Sequence, residues 1–160
     1  MPASAQREYI TQRVLSASPM ELIRLLYESA LQSIDVALRA LYSGDILERG
    51  RSINRAIEVL SELRVSLRHD VHPEYCATLT GLYNYMQQQL VRAHSEQSEA
   101  PLKEVSRLIQ TLLDGWNGAM NKLSSAESEP DAAAKFAPPS EPGRYSMEPA
   151  AVESGRSWQL

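Results

Sequence analysis

Four stretches of this chain, each about 20 to 25 residues long, repeat apolar residues three and four apart, and only short polar connections separate them. An apolar stripe with a 3.6-residue period commits a segment to an amphipathic helix that must bury one face. The first such stretch opens at Ser18-Pro19-Met20-Glu21, a capping-box layout in which the Ser18 hydroxyl accepts an early backbone N–H, Pro19 occupies the first helical position and Glu21 can reach back. It runs to Tyr42, where Ser43-Gly44-Asp45 supplies a glycine stop and an aspartate cap for the next helix. The second carries Ile53, Ala56, Ile57, Leu60, Leu63 and Leu67. The third follows His72-Pro73 with Leu79, Leu82, Tyr83, Met86, Leu90 and Ala93, and the fourth has Leu102, Val105, Leu108, Ile109, Leu112 and Trp116. No stretch alternates with period two for long enough to form a strand.

Helices of 20 to 25 residues are about 30 to 37 Å long at 1.5 Å per residue, and short connections make neighbours antiparallel. The predicted fold is therefore all-α: an antiparallel up-down-up-down four-helix bundle over 18–123, with helices about 19–43, 46–69, 73–95 and 101–120. Residues 1–17 are expected to form a flexible N-terminal arm that carries Tyr9, Ile10, Val14 and Leu15. Residues 124–160 hold Pro130, Pro138, Pro139, Pro142 and Pro149 among Ser, Glu, Ala and Gly, and are expected to be a disordered tail.

Charge and cysteine content narrow the function classes. The chain of 160 residues has a formal net charge of −4, so it lacks the basic excess that nucleic acid or an anionic membrane surface would attract. No run approaches the roughly 18 apolar residues needed to span a bilayer, and Met1 to Tyr9 lacks the layout of a signal peptide. Cys76 is the single cysteine, which excludes an internal disulfide and fits a reducing compartment. A cytoplasmic protein without membrane insertion is the expectation.

Catalytic machinery is not visible. His69, His72 and Cys76 straddle a helix junction without a second cluster to complete a tetrahedral metal shell, and Cys76 is most simply a small core residue. His94 is a poor phosphotransfer histidine, because Gln97 and Ser98 stand where such domains commonly carry lysine and glycine. Paired acid-base carboxylates and a glycine-rich phosphate loop are also missing. The chain is expected to be no enzyme, with no cofactor and no metal.

The first helix carries more apolar surface than its place requires. On a wheel at 100° per residue, Glu21, Arg24, Glu28, Gln32, Asp35 and Arg39 occupy roughly 100° of arc. The middle of the remaining surface holds Leu22, Leu26, Ala30, Ser33 and Ala37. Met20, Tyr27, Leu31 and Leu38 make one flank, Leu25 and Val36 the other. A bundle helix needs an apolar face only a little wider than 100°, so the surplus calls for a cover: the N-terminal arm, a second copy, or a foreign amphipathic helix laid in a groove.

Particular residues carry a resemblance. Ser16-Ala17-Ser18-Pro19 with Glu21-Leu22-Ile23 and Leu26-Tyr27, then Leu82-Tyr83-Asn84-Tyr85-Met86 with Leu90, then Glu104-Val105 with Trp116 resemble, in order and spacing over about residues 9 to 120, the flagellar secretion chaperone family, FliS. The resemblance implies a cytoplasmic export chaperone that binds the C-terminal segment of flagellin, prevents premature polymerisation and assists delivery to the flagellar type III export apparatus. It also implies contacts with components of that apparatus or with a flagellar regulator, and a free protein that is a monomer or weak homodimer. The partner-binding residues expected on that basis are Tyr9 and Val14 on the arm, Met20, Ile23, Tyr27, Leu31 and Leu38 on the first helix, and Tyr85 on the third. A Leu31→Asp change is expected to weaken client binding and spare helicity. The alternatives are a self-associating structural bundle and a phosphotransfer signalling bundle.

Overall fold

A computed structural model describes residues 2–128. Among them are five α-helices and no strand: α1 (Pro2–Ser16), α2 (Pro19–Ser43), α3 (Ile46–Val65), α4 (Pro73–Glu96) and α5 (Glu99–Glu127). The all-helical expectation holds, but the helix count is five rather than four. The stretch expected to be a loose arm is α1. Its Ala, Gln, Arg, Glu and Leu residues favour helix, and no glycine or internal proline interrupts it. The break comes at Ser18, which Pro19 forces into extended backbone (φ −65°, ψ 159°).

Two helix ends also differ from expectation. α3 stops at Val65 rather than near 69, because the Ser66 hydroxyl turns back to the Leu63 carbonyl (2.7 Å) and Arg68 closes a fork on Asp70 (3.1 and 2.9 Å). α5 runs to Glu127 rather than about 120, since Ala119, Met120, Lys122 and Leu123 are good helix formers and the next proline is Pro130. The rest of the expected tail, 129–160, lies outside the described residues.

The caps of α2 and α3 match the sequence pattern. The Ser18 hydroxyl accepts the Glu21 N–H (3.2 Å), and Asp45 accepts the Glu48 N–H (3.0 Å). Gly44 ends α2 in the left-handed region (φ 74°), which a residue with a Cβ enters only with strain. Glu21 does not reach back to complete the capping box. Its carboxylate is held instead by the Arg24 guanidinium one turn on, with Arg13 at 3.6 Å.

Helix α2 packs on α3 and α5, and α4 packs on the same two, so α2 to α5 close a ring while α1 stays outside it. Cross-links give the directions. On the α3–α4 seam, Arg49 meets His94 and Arg64 meets Asn84; on the α2–α5 seam, Tyr42 meets Glu99 and Trp116 meets Met20. Early residues of one helix thus face late residues of the next. Ala30, Ala37, Ala56 and Ala93 are fully buried at close helix approaches, and Leu60, Leu90, Leu102 and Ile109 fill the interior. Full burial of one such leucine stabilises by about 1.5 to 3 kcal/mol.

Two polar contacts inside this core restrict how the helices can sit. The Tyr27 and Tyr83 hydroxyls hydrogen-bond to each other at 2.7 Å between α2 and α4. Burial pushes both phenols above their ordinary range, so the pair stays neutral. Tyr83→Phe should therefore cost about 1 to 3 kcal/mol by stranding the Tyr27 hydroxyl. The double change Tyr27→Phe with Tyr83→Phe should recover most of that loss in a urea-unfolding cycle, and a fully additive cycle would show the bond to be unimportant.

Arg49 is buried, and its Nε donates to His94 Nδ1 (3.3 Å). Gly50 permits this approach, since a Cβ there would meet His94 Cε1 at 3.3 Å.

Candidate functional site

The surplus apolar surface has a specific location. Helix α1 turns back beside α2 through the two-residue link Ala17-Ser18 and leaves a cleft of about 500 Å³ between them. Tyr9, Ile10 and Val14 line one wall, and Leu22, Leu25 and Leu26 the other, with Arg13, Glu28, Ser29 and Gln32 at the polar edges. The α1 wall stands open to water: Tyr9 is 65% exposed, Ile10 54% and Val14 44%, and Leu15, outside the cleft, is 81% exposed. A 15-residue helix is marginal alone in water, and a contiguous apolar surface on it signals a docking face.

Little pins α1 in place. Its ion pair to the bundle is Arg13 with Glu21, near the surface and screened by salt. The Arg24 guanidinium first, and Arg13 after it, hold the Glu21 carboxyl below the usual carboxylate range. A depressed carboxyl keeps this tether above that range and loses it as the pH falls through the lowered value.

A second cleft, about 340 Å³, lies at the end of the ring where α3 hands over to α4. Ile23, Tyr27, Leu67, Leu79 and Trp116 form its interior, with Val71, Tyr75, Arg68 and His72 towards the rim. Trp116 Nε1 donates to the Met20 carbonyl (3.1 Å), which ties α5 to the first turn of α2. Cys76 is buried in this wall, as expected of a small core residue.

The eight expected contact residues do not converge. Tyr9 and Val14 share the α1–α2 cleft. Ile23 and Tyr27 belong to the second cleft, with Met20 beside it through its carbonyl. Tyr27 is only 4% exposed and serves the core. Leu31 and Leu38 are half-buried and packed against the core, so Leu31→Asp places a charge against packed apolar side chains, and the expected sparing of helicity loses its basis. Tyr85 stands apart on α4, and its hydroxyl donates to Glu104 on α5 (2.6 Å).

The α2 wall of the α1–α2 cleft holds Leu22 and Leu25, which were not among the expected contact residues. Both are half-buried, as Leu31 and Leu38 are, and with Leu26 they line the gap that faces α1. On the wheel Leu25 lies on the second flank and Leu22 in the middle of the apolar surface, and periodicity alone does not say which side a neighbour covers.

Histidine 94 is committed elsewhere. Its Nδ1 accepts from the buried Arg49, so that nitrogen serves packing. No helix among the described residues is long and apolar enough to cross a membrane.

Comparison with known proteins agrees with this architecture. The family model described as "Flagellar protein FliS" matches residues 1–123. The flagellar secretion chaperone FliS of Salmonella typhimurium is 28% identical over 120 residues, covering 74% of this chain and 89% of the relative. The flagellar secretion chaperone FliSB of Pseudomonas aeruginosa is 34% identical over 113 residues, covering 71% and 90%. A crystal structure of a bacterial flagellar chaperone superposes with a TM-score of 0.62 at 17% identity, over 76% of this chain and 99% of that one, a likeness of fold.

Proposed function

The chain belongs to the flagellar protein FliS family, and from that premise we propose that it is a cytoplasmic export chaperone that binds the C-terminal segment of flagellin. In this proposal the chaperone blocks premature polymerisation and assists delivery of the subunit to the flagellar type III secretion apparatus. The observation that carries the proposal is the α1–α2 cleft, where six apolar side chains face a solvent-open gap.

The logic is occupancy, without chemistry. A filament-forming terminus must offer apolar helix faces in order to assemble, so covering those faces prevents assembly. Ordering a client segment costs about 2 to 5 kcal/mol, while each buried leucine contributes about 1.5 to 3 kcal/mol. A few anchors therefore outweigh the ordering cost. We assign Tyr9, Val14, Leu22 and Leu25 as those anchors, with α1 hinging at Ala17-Ser18 to admit the client.

Mixing the full chain with a flagellin C-terminal peptide, followed by size-exclusion chromatography with light scattering, tests this directly. A heterocomplex is expected. Failure of the peptide to bind, with only homo-oligomers present, would overturn the proposal in favour of self-association through the exposed apolar residues of α1, the second reading that Ile10 and Leu15 support.

A further inference from the structure

The cleft between Trp116 and the α3–α4 turn is apolar, open and unfilled by any described side chain. It also lies on the side of the ring towards which α5 carries the chain. Glu127 is 11 residues beyond Trp116 on the same helix, about 16 Å along the axis. From Ser128 to Trp158 there are 30 further residues, which reach about 100 Å when extended. The return distance is several-fold shorter than the reach.

The aromatic side chains of that stretch are Phe136, Tyr145 and Trp158, of which the Trp158 indole has the largest apolar area to bury. Residues 129–160 are dominated by Pro, Ser, Glu, Ala and Gly, and Trp158 with Leu160 forms a large apolar pair two residues apart. Phe136 is only eight residues past Ser128, about 27 Å when extended, so it returns with far less slack than Trp158 has. The cleft suits an indole: Leu67, Leu79 and Trp116 offer apolar and aromatic contact, and the Ser66 and Tyr75 hydroxyls can accept the indole N–H that burial would otherwise strand. The segment carries five acidic and three basic residues against Arg68 and His72 at the rim. Arg68 already pairs with Asp70, so apolar fit carries more of the recognition than charge. Tethering sets the local concentration at order millimolar, so weak intrinsic affinity suffices.

We propose that the segment around Trp158 docks intramolecularly into the Trp116 cleft, with the Trp158 indole as its anchor. This does not rest on the export reading, since no flagellin enters its test.

Nuclear magnetic resonance on the isotope-labelled full chain decides it. The expected result is a set of NOEs from the Trp158 indole to Leu67 and Leu79. Val71→Asp, at an exposed rim position, should abolish them while the ring of helices stays folded. Trp158→Ala should shift the amides of residues 63–79 and of Trp116 and leave α1 unmoved. An indole without such NOEs overturns the proposal, as do shifts confined to the neighbours of residue 158 or contacts that fall on Leu22 and Leu25. NOEs that appear only between differently labelled chains in a mixed sample would assign the cleft to a second copy and equally overturn it.

Discussion

Leu25→Asp should weaken binding of a flagellin C-terminal peptide by about 10- to 100-fold while the helical circular dichroism of the chain remains near wild type. Leu25 is half-buried and lines the α1–α2 cleft, so the part of its side chain that faces the gap is available to a partner. Losing a leucine contact of about 1.5 to 3 kcal/mol corresponds to that range at 1.4 kcal/mol per decade, and a carboxylate in the contact adds a desolvation cost. Calorimetric titration of both chains measures it. Wild-type affinity in the variant would remove the cleft from consideration as the berth. A collapse of helicity would place Leu25 within the bundle's own support.

The opposite pattern is expected at Leu60. It is fully buried in the C-terminal half of α3, and Leu60→Ala should lower the unfolding free energy by about 2 to 5 kcal/mol, through lost transfer energy and the cavity that remains. Urea denaturation should show the midpoint falling with an unchanged slope. Leu15→Ala removes the same side chain from a position 81% exposed and should change stability by no more than about 0.5 kcal/mol. Equal losses at the two sites would contradict the separation of α1 from the ring. The two leucines differ in environment alone, and their contrast measures what burial contributes.

These expectations show which features local pattern made legible. Ser18, Pro19, Gly44 and Asp45 marked helix boundaries that the structure reproduces, because capping is decided within four residues. The stripes on α3, α4 and α5 named Leu60, Leu63, Tyr83, Met86, Leu90, Val105 and Ile109, all now buried. α1 was missed because it has little amphipathic pattern, and its helical propensity is not decisive over so short a stretch. The end of α3 was misplaced because Ser66 and the Arg68–Asp70 fork act through side-chain bonds that periodicity does not register.

By itself the sequence determined the all-helical class, the boundaries of α2, the core stripes and an excess of apolar surface on α2, since each depends on residue type and spacing along one segment. Only the tertiary structure decided which side of α2 borders the gap to α1. Leu22, Leu25, Leu31 and Leu38 are all half-buried, but Leu31 and Leu38 pack against the core whereas Leu22 and Leu25 line the gap to α1. That choice depends on where neighbouring helices lie, and wheels of single helices do not contain it. Tyr27 passed from candidate contact to core for the same reason: its hydroxyl is answered by Tyr83, 56 residues away in the chain.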